Sequence, residues 1–164
     1  MRRRLIPLAI LAVLAVALVI GEALSGKSSP TGRAAPALPT HSLQGAPVTI
    51  ASLHGRPAIV HFWASWCGPC TKEAPELARL SGELKGRATL VGVDWSDDSG
   101  NARKFLARHH WTFASLSDPN GASGNAYGIS GLPTTFILDS NGRILKRLTG
   151  PQTAAGLLAE VERA

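Results

Sequence analysis

Residues 62–70 read Phe62-Trp63-Ala64-Ser65-Trp66-Cys67-Gly68-Pro69-Cys70 and hold both cysteines of a 164-residue chain. Two thiols two residues apart can close into one small disulfide ring and open again. A structural staple normally closes a longer loop, because a longer cross-linked loop restricts the unfolded chain more. The spacing therefore favours a redox couple. Ahead of the pair, residues 58–64 are short, β-branched, aromatic and apolar almost throughout, which predicts a central strand covered on both faces. After it, Ala74, Leu77, Leu80 and Leu84 recur at helical spacing and predict a helix from about Pro69 to Leu84. Pro75 lies inside that helix and is expected to kink it.

The junction between strand and helix carries the chemistry. The attacking species in disulfide exchange is a thiolate, so a working cysteine needs a lowered pKa. Cys67 at the start of a helix gains this from unpaired backbone N–H groups and the helix dipole. Cys70, one turn further in and less exposed, is placed to attack a mixed disulfide formed at Cys67. Cys67 is thus the nucleophile and Cys70 the resolving thiol. Pro69 loses nothing by lacking an N–H in a first helical turn. Two cysteines with no second CxxC and no histidine at zinc spacing do not suggest a closed zinc site, and no cofactor is expected.

Downstream, residues 88–95 predict a second buried strand, 101–110 a helix capped by the Asp97–Gly100 turn, and 111–116 a strand. A short helix follows at 122–127. Residues 134–138 and 144–148 flank Asn141-Gly142 as an antiparallel hairpin, and 152–161 form a closing helix. Upstream, Val48–Ile50 is taken as a short strand. The order implies an α/β architecture with a parallel portion followed by an antiparallel one.

The amino terminus differs in kind. Met1-Arg2-Arg3-Arg4 precedes residues 5–24, which are almost pure Leu, Ala, Val and Ile as far as Ile20. Twenty helical residues reach about 30 Å, one hydrocarbon core, and the arginines would stay on the cytoplasmic side. Residues 1–24 are therefore expected to be an uncleaved signal-anchor passing through the membrane, although a cleaved signal peptide has the same pattern. Residues 25–40, rich in Ser, Gly, Pro and Ala, are expected to be a flexible linker, and 41–164 the folded domain outside the membrane, or secreted if the signal is cleaved. The formal charge is +6, from 17 Lys and Arg against 11 Asp and Glu. Arg2, Arg3 and Arg4 supply three of those charges and the rest are scattered, which argues against a nucleic-acid site.

Two further segments turn these observations into a resemblance. Residues 62–70 at a strand-to-helix junction, with Pro75 five residues after Cys70, look like the thioredoxin superfamily. Tyr127-Gly128-Ile129-Ser130-Gly131-Leu132-Pro133-Thr134-Thr135-Phe136 resembles the segment that carries that family's cis-proline. The stretch Thr49–Pro57, taken as an extra helix-bearing insertion between the second and third main strands, and the amino-terminal anchor resemble one branch: the membrane-tethered TlpA/ResA-like extracytoplasmic thioredoxins. The match runs from about Pro36 to the end. It implies a thioredoxin fold, a central mixed sheet flanked by helices, with an amino-terminal transmembrane or signal helix.

The resemblance also implies roles. Pro133 would be cis and beside the cysteines, leaving the N–H and carbonyl of Leu132 free to pair with a substrate backbone. Trp66 would border the site and offer apolar contact. Glu73, on the cysteines' face of the helix, would accept the resolving thiol's proton; the plainer reading is a first-turn glutamate favoured by the helix dipole. His61 departs from the pattern, since cytosolic thioredoxin has a buried aspartate there. It is either a neutral, hydrogen-bonded core residue or a proton relay. Trp63, Trp95 and Trp111 are taken as packing, Asp94, Asp97 and Asp98 as surface caps, and His109-His110 as a helix-end pair facing solvent. The implied activity is thiol–disulfide exchange on protein substrates outside the membrane. The leading task is reduction of a selected disulfide, such as that of an apocytochrome c haem-binding motif, with electrons from a membrane thiol carrier. The alternative is net oxidation of secreted proteins. A copper-handling protein or a thiol peroxidase are the readings from other classes.

Overall fold

The computed structural model describes residues 32–164. The apolar segment expected to span a membrane, residues 5–24, lies outside the described residues. Among those described, no helix is long and apolar enough to cross a membrane.

Six strands form one mixed sheet. They are β1 (His41–Gln44), β2 (Ala58–Trp63), β3 (Thr89–Trp95), β4 (Ala114–Asp118), β5 (Thr134–Leu138) and β6 (Ile144–Thr149), in the spatial order β1-β4-β3-β2-β5-β6. The β2–β3 and β3–β4 pairs are parallel; β1–β4, β2–β5 and β5–β6 are antiparallel. Three helices connect them, α1 (Gly68–Leu84), α2 (Ser99–Arg108) and α3 (Ala122–Tyr127), and α4 (Ala154–Val161) follows β6. All six residues of β2 are buried, as a central strand covered on both faces requires.

Alternation along the strands makes two cores. Ile59 and Trp63 of β2 and Ile137 of β5 join the buried residues of α1, α2 and α4 in one cluster. Val60, Phe62, Val91, Val93, Phe136 and Leu138 face the other way, with Tyr127 of α3. His61 and Thr135, one residue out of step with the second set, therefore lie on the face that α1 covers.

The expected elements form, with differences at the edges. α1 continues through Pro75, which forgoes the hydrogen bond to the Thr71 carbonyl, and stops where Lys85 (φ 46°) and Gly86 (φ 80°) enter the left-handed region. Residues 111–113 do not pair as strand; Trp111 is buried there and its indole N–H donates to the Ala74 carbonyl at 2.9 Å. Val48–Ile50 is not a strand either. Thr49 and Ser52 exchange hydrogen bonds, Thr49 N–H to Ser52 Oγ at 3.0 Å and Ser52 N–H to Thr49 Oγ1 at 3.1 Å, and lead into a 3-10 turn, Ala51–Leu53. Local side-chain bonding has overridden β propensity. This turn is all the helix in the stretch 49–57, which lies between the first and second strands, not between the second and third. β1, with Leu43 as its one buried residue, carries too weak an apolar pattern to be seen beforehand.

The largest difference concerns the linker expected over residues 25–40, of which 25–31 lie outside the described residues. From Gly32 on the chain is stitched to the domain. Ala34 bridges Arg143, Ala35 N–H donates to the Gly142 carbonyl at 2.9 Å, and Ile144 N–H donates to the Arg33 carbonyl at 2.9 Å. The Tyr127 hydroxyl donates to the Pro36 carbonyl at 2.9 Å, Ser123 Oγ donates to the Ala37 carbonyl at 3.0 Å, and Leu38 enters the second core. Composition suggested mobility, but backbone groups and one leucine supply enough partners to order residues 32–40.

Candidate active site

Cys67 and Cys70 are joined as a disulfide at the amino-terminal end of α1, with Cα atoms 5.2 Å apart. Cys67 is the helix N-cap: its backbone is extended (φ −80°, ψ 105°) and its Sγ accepts the Cys70 N–H at 3.1 Å. A sulfur held against first-turn N–H groups is stabilised as thiolate when the bond opens. Cys67 is 4% exposed and Cys70 1%, so both are nearly covered and Cys67 is the outer of the two.

The loop that carries them is pinned sideways. Ser65 N–H donates to the Asp97 carboxylate, and the Trp66 indole N–H donates to the Ser96 carbonyl at 3.1 Å. Tied at its polar edge, Trp66 still exposes 59% of its surface, an apolar face immediately before the disulfide. On the other side, the Leu132–Pro133 peptide bond is cis. Phe62 pairs with Thr134, so Pro133 meets the end of β2 from which the cysteine loop departs. The Pro133 carbonyl accepts from Gly150 N–H at 2.9 Å, and Thr134 Oγ1 donates to the Gly131 carbonyl at 2.7 Å. Leu132 packs against the cluster containing both cysteines, and its own N–H and carbonyl make no hydrogen bond among the described residues.

Behind the disulfide lies a buried carboxyl. Glu73 is 2% exposed. Its Oε1 accepts the Gln152 N–H at 2.8 Å, while Oε2 has no hydrogen-bond partner and stands 3.7 Å from His61 Nε2, itself unpartnered. Burial pushes the Glu73 carboxyl up to about 7, against the pull of the Gln152 N–H. Burial also drives the His61 ring down to about 3. The contact is therefore not an ion pair: His61 is neutral and Glu73 changes charge near neutrality. His61 Nδ1 lies 2.9 Å from Thr135 Oγ1. Of the two readings open for His61, the bonded core residue matches this placement, and it directs its free nitrogen at Glu73.

Asp94 was expected as a surface cap and is a buried residue instead, with neither carboxylate oxygen partnered. It lies in β3 between parallel neighbours, paired with Trp63 and Ser117. Burial, and next the neighbouring Asp97, push it up to about 8. Asp98 does cap α2, accepting Gly100 N–H and Asn101 N–H at 3.0 Å each. His109 caps the other end of α2, packed on Phe105 with ring centroids 4.3 Å apart and so turned partly inward.

Two contributors were missed. Thr135 could have been suspected from its place two residues after Pro133, but its pairing with His61 depends on strand register. The Gln152 N–H is a backbone group, and no residue type announces it.

A family model described as Redoxin matches residues 25–163. The thiol:disulfide interchange protein HelX of Rhodobacter capsulatus is 39% identical over 133 residues, covering 80% of this chain and 71% of that protein. The thiol-disulfide oxidoreductase ResA of Geobacillus thermodenitrificans is 30% identical over 132 residues, 80% of this chain and 76% of that protein. Among solved structures, a thiol:disulfide interchange protein of the thioredoxin family from Chlorobium tepidum superposes with a TM-score of 0.71 at 28% identity, covering 85% of this chain and 99% of that one.

Proposed function

The chain belongs to the Redoxin family as a thioredoxin-fold thiol–disulfide oxidoreductase, and from that premise we propose that Cys67 and Cys70 reduce a selected protein disulfide outside the membrane. In this reading the Cys67 thiolate attacks one substrate sulfur; a Cys67–substrate disulfide forms and a substrate thiolate leaves. Cys70 gives its proton to Glu73, and its thiolate attacks Cys67 Sγ. The Cys67–Cys70 bond forms, the bond to substrate breaks, and the substrate departs with two electrons gained. A membrane thiol carrier then reduces the pair. Net oxidation runs the same steps backwards.

The observation that carries the reading is the arrangement around the helix cap. A disulfide sits between an exposed Trp66 and the unpaired backbone of Leu132, with the buried Glu73 carboxyl behind it on the same helix. Trp66 supplies apolar contact, and Leu132 offers a donor and an acceptor to an extended substrate segment. A site with one apolar face and one backbone edge suits a restricted set of disulfides. The TlpA/ResA-like resemblance makes the haem-binding motif of an apocytochrome c the leading candidate. Residues 5–24 as a membrane anchor would hold the domain beside its electron donor.

Trapping tests this. Cys70→Ser leaves the first step and removes the second, so substrates remain linked to Cys67. Recovery of apocytochromes c in reducible complexes is the expected result. Capture of many unrelated secreted proteins would favour net oxidation, and no trapping at all would sink the exchange mechanism.

A further inference from the structure

Glu73 Oε2 and His61 Nε2 face each other at 3.7 Å, and neither has another partner among the described residues. On its far side the ring meets Thr135 Oγ1 at 2.9 Å, and this hydroxyl makes no other hydrogen bond there. His61 and Thr135 are register partners on β2 and β5. The three side chains form a row from helix into sheet: carboxyl, imidazole, hydroxyl. Trp111 closes the ring's edge at a centroid distance of 6.0 Å. Among the described residues Glu73 is the one carboxyl or cationic side chain within ion-pair distance of the ring, and its other oxygen is occupied by Gln152 N–H.

We propose that His61 is a positioning residue for Glu73: a neutral ring that changes tautomer as the carboxyl gains and loses its proton, with the Thr135 hydroxyl completing the exchange. The proposal rests on Glu73 being the proton acceptor for Cys70. With Glu73 protonated, its Oε2–H donates to His61 Nε2, and Nδ1–H donates to Thr135 Oγ1. With Glu73 ionised, His61 Nε2–H donates to Oε2, and the Thr135 O–H donates to Nδ1. Either bond forms when the pair closes from 3.7 Å to ordinary hydrogen-bond length, about 2.7–3.0 Å. The ionised row holds one proton fewer, and that proton is the one exchanged with Cys70.

Imidazole suits this because each ring nitrogen can donate or accept while the ring stays uncharged, and a hydroxyl can reverse its own role. A buried carboxylate without a donor carries a large penalty, and so does a carboxylic acid proton without an acceptor. The row satisfies both states where the ring is 0% exposed. Burial disfavours imidazolium, so the ring does not compete for the proton.

The test is nitrogen-15 NMR of the full chain in detergent micelles, oxidised, with labelled histidine, across pH 5–9. The His61 signals are assigned by their loss in His61→Phe. The expected result is a neutral ring throughout, crossing from the Nδ1–H to the Nε2–H tautomer as Glu73 ionises. In Glu73→Gln the ring should keep the Nδ1–H tautomer at every pH, because the amide N–H replaces the acid proton. A single tautomer across the wild-type titration, or an imidazolium signal, overturns the proposal. Kinetics add a second readout. His61→Phe should move the midpoint of the pH–rate profile for resolution up by roughly 1 pH unit, since an ionised carboxylate loses more than a neutral acid when its partner goes. An unmoved midpoint counts against the switch. If the tautomers cross but Glu73→Gln exchanges at the wild-type rate, the switch stands and the assignment of Glu73 as proton acceptor fails.

Discussion

Replacing Glu73 with glutamine should make the protein more stable and slower at neutral and alkaline pH. Glutamine keeps the shape, keeps an oxygen for the Gln152 N–H, and imitates the protonated acid. The wild-type carboxyl rises from its ordinary 4.5 to about 7 on folding. The folded state therefore binds this proton more tightly than the unfolded state. Stability contributed by Glu73 is full below pH 4.5 and is lost as pH rises through about 7. At ~1.36 kcal/mol per pH unit the loss is about 3 kcal/mol, and glutamine does not incur it. The difference in unfolding free energy between variant and wild type should grow in the variant's favour by that amount between pH 4 and pH 8. His61 has the opposite sign, since its depressed pKa costs stability as pH falls through 6.5 towards about 3. That contribution is common to both proteins and cancels in the difference. Guanidinium unfolding of the oxidised proteins, followed by tryptophan fluorescence, measures it. A difference constant across pH would refute a titrating, buried Glu73. Stopped-flow exchange with the reduced proteins should show the resolving step slowed and its pH dependence near 7 flattened.

Asp94→Asn should likewise stabilise the fold increasingly as pH rises from about 4 to 8, by on the order of 5 kcal/mol, because wild-type Asp94 has its carboxyl raised from 3.8 to about 8 and must ionise without a partner; denaturation midpoints at pH 5 and pH 8.5 check this. Two glycines in helices should respond oppositely to alanine in thermal melts. At Gly82 in α1 a Cβ meets nothing within 4 Å, so Gly82→Ala should gain roughly 0.5–1 kcal/mol of helix propensity. At Gly124 in α3 the Cβ would overlap the Trp95 indole at Cδ1 and Nε1, so Gly124→Ala should cost about 1–3 kcal/mol.

What could be read from the chain beforehand followed from how local its cause was. The strand at 58–63 and the helix from 68 to 84 announce themselves by uninterrupted apolar character and by period, and the hairpin by Asn141-Gly142. The disulfide needs only two cysteines a helical turn apart. Asp94 was misplaced because an acidic residue in a run of Asp94, Asp97 and Asp98 suggests a solvated loop. The apolar Thr89–Val93 before it carries the strand past that point, and Asp94 is carried under cover with it. Residues 32–40 were misplaced for the converse reason: Pro, Ala and Gly state no side-chain pattern, and what holds them is their backbone, bonded to the backbone at Gly142 and Ile144 and to the Ser123 and Tyr127 hydroxyls of α3. The row Glu73–His61–Thr135 needed the register of β2 on β5, a fact of the assembled sheet.

Glu73 is tied through Oε1 to Gln152 N–H, and Glu76, one turn on, reaches Ala154 N–H at 2.8 Å. The final helix is thus clasped by the same helix that bears the cysteines. This has a consequence in time. A chain made from its amino terminus presents the CxxC pair early, while the N–H that holds Glu73 in place arrives 79 residues after that glutamate. Until then Glu73 Oε1 lacks its partner. The support for that carboxyl is completed only when Gln152 is made, so a protein cut short before that residue keeps its redox motif and lacks the N–H that holds Glu73.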